Sequence, residues 1–293
     1  MTELNPTPIV VAVGNDSVDA ALEVAAGEAV IRGCGLHLVH VIHRFVQGPD
    51  AMLVESTDLE HLGRQTLNAA LEHAHDLAEE RTTVTADLLL GRVVPSLVDA
   101  ARDARMIVLE HRHLPPLQRV VTRSVASGIA AKARVPVVSV PSGWSPSTPA
   151  GSGGTVTVGV DDPDRSEQVL RTACEVAKRR GAALKVVHTW SFPSAYDDLV
   201  MSRDEEAEWT ARAKREIQSV LDGLGDVATG VPVDMEARHA RPADALVEAS
   251  RSSDLVVVGR HDPKIALGSH LGPVARAVLH GSECPVLLAD PVP

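Results

Sequence analysis

The chain has 293 residues, 44% hydrophobic and 23% charged, a length that suits two domains, each able to bury its own core. Its net charge of −11 argues against a binder of phosphate backbones, and 2% aromatic residues are too few for base-stacking surfaces, so neither property points to nucleic acid. Met1–Pro8 lacks the basic opening of a signal peptide, and no apolar run approaches the ~18 residues of a membrane span.

Taken in chain order, Ile9–Val13 is a β-branched run and predicts the first strand. A helical stretch follows and ends at Gly33, a C-cap. "LHLVH" at Leu36–His40 predicts the second strand. After a variable stretch, Thr57 and Glu60 have the spacing of a capping box and predict a helix start. "MIVL" and "PVVSV" predict the fourth and fifth strands, with a third strand and two helices between and around them. The segment "PSGWSPSTPAGSGG" from Pro141 to Gly154 is rich in Pro, Ser and Gly and reads as the linker region. As flexible coil its fourteen residues would span ~20 Å, so the halves are expected to be neighbours.

The same order then recurs. Thr155–Val160 predicts a strand, Gly181 a helix end, and "LKVVH" at Leu184–His188 a second strand. Ser202 and Glu205 repeat the capping-box spacing, and Ala213, Ile217, Val220 and Leu224 recur at helical spacing. "LVVVG" and "PVLLA" close the series as strands. Residues 91–140 align with 240–289 without a gap and share ten identities, among them Arg92/Arg241, Leu97/Leu246, Val98/Val247 and Pro136/Pro285. The charge divides evenly too, −5 before residue 150 and −6 after it. The expected organisation is a domain over 1–143, a linker over 144–154 and a domain over 155–293.

Continuous apolar strands alternating with helices predict a doubly wound α/β fold, each domain built on a parallel sheet buried on both faces. Ligands of such sheets bind beyond the carboxyl ends of the strands at a switch point, here the turns after strands 1 and 4. In the second half, strand 1 runs into "VDDPDRS" with Asp161 at its end, and strand 4 into "GRHDPKIALGSHLGPVARAV". Gly259, Gly268 and Gly272 in that turn would let backbone approach a phosphate, and Pro273 suits the first turn of the next helix.

The strand-end "VD", a glycine loop of the form G-x-x-G-x9-G-S/T after strand 4, and the final "CPVLL" resemble the universal stress protein family, and two copies resemble its tandem form. The resemblance covers nearly the whole chain. It implies two five-stranded domains of the adenine nucleotide alpha hydrolase-like fold, and a stress-response regulatory module that binds ATP or a related nucleotide, with Mg²⁺ if ATP is bound. It implies an Asp on the ribose or phosphate side, adenine near strand 2, and the glycine loop on the phosphates. Carried over to this chain, Asp161, Val187, His188, Gly259, Arg260, Gly268, Ser269 and Gly272 become the nucleotide positions, with Asp161 a possible Mg²⁺ contact. The match is partial. Asp262 stands at the second glycine and Pro273 replaces the hydroxyl residue. A carboxylate about 6 Å from a phosphate costs about 3 kcal/mol at an effective dielectric of about 20, which Arg260, Lys264 or Mg²⁺ would offset.

The first half departs further. Gly14 stands at the strand-1 Asp, with Asp16 two residues on, and Glu110, His113 and Arg123 stand at the three loop glycines; Ser124 alone matches. Arg102 to Arg134 holds seven basic residues against Asp103 and Glu110. Arg112, Arg119, Arg123 and Ser124 could grip an anion, or the segment is a solvated or interdomain basic face.

Other groups have structural readings beside functional ones. His111 and His113 have the spacing of an extended-loop metal pair but no evident third ligand. His40 and His188 occupy equivalent strand-2 ends, lining the cleft or held by a structural hydrogen bond. Asp161, Asp162 and Asp164 form an acidic turn suited to Mg²⁺ or to capping, with capping favoured for the last two. Three widely spaced cysteines, Cys34, Cys174 and Cys284, make no disulfide framework or CxxC site and fit a reducing, cytoplasmic setting; Cys174 and Cys284 read as small buried hydrophobes. No nucleophile–base pair stands out, so a slow Mg²⁺-dependent ATP hydrolase ranks behind two other readings. These are the nucleotide-responsive module and a non-nucleotide scaffold whose domains pair as an internal pseudo-dimer through their last strands, with a further homodimer possible.

Overall fold

The computed structural model describes residues 7–15, 18–43, 56–112, 125–146, 153–190, 203–260 and 271–289. The chain divides into two compact units, with the break between Ser145 and Pro146.

The first unit runs β1 (Ile9–Val13), α1 (Asp19–Arg32), β2 (Leu36–His43), α2 (Ser56–Ala78), β3 (Val84–Gly91), α3 (Val93–Ala100), β4 (Met106–His111), α4 (Val125–Ala130) and β5 (Val137–Pro141). The second repeats the order as β6 (Thr155–Val160), α5 (Glu167–Arg180), β7 (Ala183–Trp190), α6 (Arg203–Gly223), β8 (Val233–His239), α7 (Pro242–Ser250), β9 (Leu255–Val258), α8 (Pro273–Gly281) and β10 (Val286–Leu288). Strand order is β3-β2-β1-β4-β5 in the first unit and β8-β7-β6-β9-β10 in the second. Every pairing within each unit is parallel. Each unit is thus the expected five-stranded doubly wound sheet. Its switch point lies between the first and fourth strands, because the chain leaves the first strand in one direction and returns to the fourth in the other.

The hydrophobic patterning explains this layering. Central strands such as β1 ("IVVAV") and β9 ("LVVV") are apolar throughout and buried except for the half-buried Ala12, as helices on both faces require. The outermost strands, β3 and β8, are mostly exposed or half-buried, with Ala237 buried in β8, and carry Asp87, Glu236 and Arg238. Helices α1 and α5 present Leu22, Ala25 and Ala29, and Leu170, Ala173 and Ala177, to their sheets, all fully buried. Burying each leucine contributes about 1.5–3 kcal/mol. Both helices end where predicted: Gly33 (φ 59°) and Gly181 (φ 63°) are left-handed caps whose N–H groups close the last turn.

Several local expectations shift. Helix α2 already includes Ser56, so Thr57 lies inside it rather than at its cap; Ser202 lies outside the described residues. The buried stripe of α6 is Ala213, Ile217 and Leu221, continued by Leu224 just past its end, with Val220 half-buried beside it. Pro141, the first residue of the predicted linker segment, pairs with His111 as the end of β5. Its missing N–H costs nothing at a strand terminus.

Candidate functional site

The site is built on the register of the strand ends. In the second unit Val160 of β6 pairs with His188 of β7. On its other side Val158 of β6 pairs with Val257 of β9, and continuing that register brings Gly259 alongside Val160. His188, Val160 and Gly259 therefore form one row across three strands, and Asp161 stands one residue above it. The first unit repeats the row: His40 pairs with Val13, and the Ala12–Leu109 pair continues to Val13 and Glu110.

Each predicted position can now be located. Asp161 is exposed at the exit of β6. Asp162 is a turn residue: its Oδ1 accepts from the Asp164 N–H at 3.1 Å and opens a short 3-10 turn over Pro163–Arg165, the capping role expected of it. Val187 is buried in β7. His188 is buried as well, with Nδ1 3.0 Å from the Val160 carbonyl oxygen, and His40 repeats the contact to Val13 at 2.9 Å. Gly259 is exposed, and among the described residues a Cβ there would meet nothing closer than Val169 at 3.8 Å. Gly272 is the extended N-cap of α8 (φ −68°, ψ 168°) with no side-chain capping bond, and Pro273 takes the first turn as expected.

Arg260 differs from its expected posture. Its side chain is buried and its Nε donates to the Ala289 carbonyl at 2.8 Å, bracing the exit of β9 against the end of β10. A guanidinium enclosed in this way is poorly placed to neutralise a phosphate, because turning outward breaks a buried hydrogen bond. Gly268, Ser269, Asp262 and Lys264 lie outside the described residues.

In the first unit Arg112 is exposed, whereas Arg119, Arg123, Ser124, His113 and Asp16 lie outside the described residues. His111 is buried, with Nδ1 2.8 Å from Ser139 Oγ, so its ring is held within the fold. Among the described residues no cluster of three or more His, Cys, Asp or Glu could hold a metal ion.

Sequence reasoning missed the contact made by Glu110. Its Oε2 accepts from the Ala21 N–H at 3.3 Å, and the Ala20 amide also faces it, so the carboxylate sits on the first turn of α1. Burial pushes this carboxyl above its ordinary value; the two amides pull it partly back, Asp19 raises it and Arg112 lowers it. The signal was Val18, at the cap position of α1, whose side chain has no acceptor.

The thiols are structural. Cys34, Cys174 and Cys284 are all buried, and burial pushes each one up, Cys284 to about 12, with a Ser282 hydrogen bond acting in the opposite direction. Among the described residues no helix is long and apolar enough to cross a membrane.

Comparison with known proteins agrees with this architecture. The model of the universal stress protein family matches twice, over residues 6–141 and 154–290. Universal stress protein Rv2005c of Mycobacterium tuberculosis is 32% identical over 283 residues, covering 94% of this chain and 94% of its own. Universal stress protein Rv1996 of the same organism is 29% identical over 298 residues, covering 94% and 92%. Among solved structures, a universal stress protein from Archaeoglobus fulgidus matches with a TM-score of 0.67 at 14% identity, covering 96% of each chain, a likeness of fold. The two matched segments coincide with the two repeats of sheet and helix, and the chain belongs to the universal stress protein family in its tandem form.

Proposed function

We propose that this chain is a cytoplasmic, nucleotide-responsive regulatory protein whose second domain takes ATP or a related adenine nucleotide at the carboxyl ends of β6, β7 and β9. The observation that supports this best is the convergence of Asp161 and Gly259 at adjacent strand exits flanking the switch point. Gly259 puts no side chain at that exit, and among the described residues even a Cβ would find only an ordinary contact there. The first turn of α8, capped at Gly272 without a side-chain acceptor, offers N–H donors and the positive end of a helix dipole to a phosphate. Asp161 would face the ribose or a phosphate-bound Mg²⁺, with Val187 and His188 walling the base. The buried thiols suit a reducing compartment.

The test is calorimetric titration of Mg·ATP, ADP and AMP into the full chain and into Gly272→Val. The Gly272 backbone, at φ −68°, accepts valine without backbone strain, so the substitution places a side chain at the phosphate approach. Saturable heat that disappears in the variant, with a nucleotide-dependent rise in Tm, is expected. No heat and an unchanged Tm at millimolar nucleotide would sink this reading.

A further inference from the structure

The two strand-end crevices differ in one respect that their alignment makes exact in position. Glu110 and Gly259 are equivalent residues at the ends of the fourth strands: Glu110 is the last but one of β4, and Gly259 directly follows β9. Ala21 and Val169 are equivalent too, each the third residue of the helix that follows the first strand. The strand-4 exit and this first helical turn approach each other in both units: Glu110 Oε2 accepts from the Ala21 N–H at 3.3 Å, and the Cβ position of Gly259 lies 3.8 Å from Val169 Cβ. In the second unit that space holds no side chain from position 259. In the first it holds a carboxylate.

The carboxylate has a specific job there. The first N–H groups of a helix have no intrahelical acceptor, and the N-terminus attracts negative charge. The Val18 carbonyl accepts from the Leu22 N–H, but its side chain offers no acceptor to the earlier amides of α1, and Glu110 reaches across from another strand to supply one. It does so while half-buried, at the switch point where this fold class takes its ligands.

We propose that Glu110 is the resident anion of the first domain: its carboxylate occupies the crevice between the ends of β1 and β4 and closes it to external phosphates. The first domain is then self-filled, and the anion-gripping reading of its basic segment does not extend to this crevice. The inference goes beyond the nucleotide reading of the second domain and stands independently of it.

The experiment uses the full chain labelled with ¹⁵N. The backbone amides of Ala20 and Ala21 are followed through a pH titration, and then through addition of inorganic pyrophosphate at constant neutral pH. In the wild type both amides should shift as the Glu110 carboxyl titrates, and Glu110→Gln should abolish that shift. Pyrophosphate should leave both amides in place in the wild type and shift them in Glu110→Gly, which copies the second domain. Three results each overturn the proposal: amides indifferent to the Glu110 titration, wild-type amides displaced by pyrophosphate, or a folded Glu110→Gly that ignores it. The first two are read on the wild type and do not depend on the stability of any variant. Nucleotide heat lost in Gly272→Val reports on the second domain alone, so the two readings fail separately.

Discussion

The Nδ1 of His188 lies 3.0 Å from the carbonyl oxygen of Val160, the residue directly opposite it in the β6–β7 register. His40 makes the same contact with Val13 at 2.9 Å in the first unit. A carbonyl only accepts, so Nδ1 carries the proton, and the bond fixes both the tautomer and the ring plane. The contact therefore ties the end of the first strand to the second just where each crevice begins.

Replacing His188 with alanine should lower stability by about 1–3 kcal/mol for the lost buried bond, with a further cost for the cavity. Urea denaturation of the full chain checks this, and His40→Ala should act alike. A change below the error of the measurement would mean that water takes over the imidazole's place.

Two glycines one strand apart should respond in opposite ways to the same methyl group. A Cβ at Gly159 would lie 2.8 Å from Leu246 Cδ1 of α7, tighter than packing allows, whereas at Gly259 the nearest contact among the described residues is an ordinary 3.8 Å. Gly159→Ala should cost about 1–3 kcal/mol as the buried Leu246 side chain is forced to repack. Gly259→Ala should leave the midpoint nearly unchanged. Thermal melts of both variants test the pair, and equal losses would refute it.

The pH dependence of Glu110→Gln follows from the direction of its shift. The folded carboxyl titrates above its unfolded value because burial outweighs the α1 amides and Arg112, with Asp19 adding to the rise. A raised folded value means that the native chain holds this proton more tightly. Glu110's stabilising contribution is therefore complete below its unfolded value and is lost as pH rises through the folded one. Glu110→Gln should match the wild type in acid and gain on it toward neutral pH. Denaturation midpoints measured for both chains across that window give the comparison, and a gain running the other way would refute the assignment.

The thiols should be silent in the native chain. With Cys284 pushed up to about 12 and Cys34 and Cys174 raised by burial, little thiolate exists at pH 8 and none of it is accessible. An aromatic disulfide reagent should label all three cysteines in guanidinium and label them only slowly in the folded protein. Rapid native labelling of one of them would contradict its burial.

Much of this was legible in the sequence. Apolar runs such as "LVVVG" and "PVLLA" announce strands buried on both faces, Gly33 and Gly181 end their helices where expected, and the repeat carries the topology from one half to the other. These features are local: a strand's burial and a helix's end are written within a few consecutive residues. The capping pair at Thr57 and Glu60 misled because the same spacing occurs inside helices, and α2 extends past it to Ser56.

By itself, then, the sequence determined the fold class, the tandem repeat and the order of the strands, because periodicity and chain order suffice for these. Tertiary structure alone decided where the polar side chains at those ends turn. It set Arg260 inward onto Ala289, tied His188 to Val160, and seated Glu110 on the first turn of α1. Glu110 and Ala21 are 89 residues apart in the chain. Their contact exists because β4 lies beside β1 in the sheet, and no pattern within either segment encodes that neighbour.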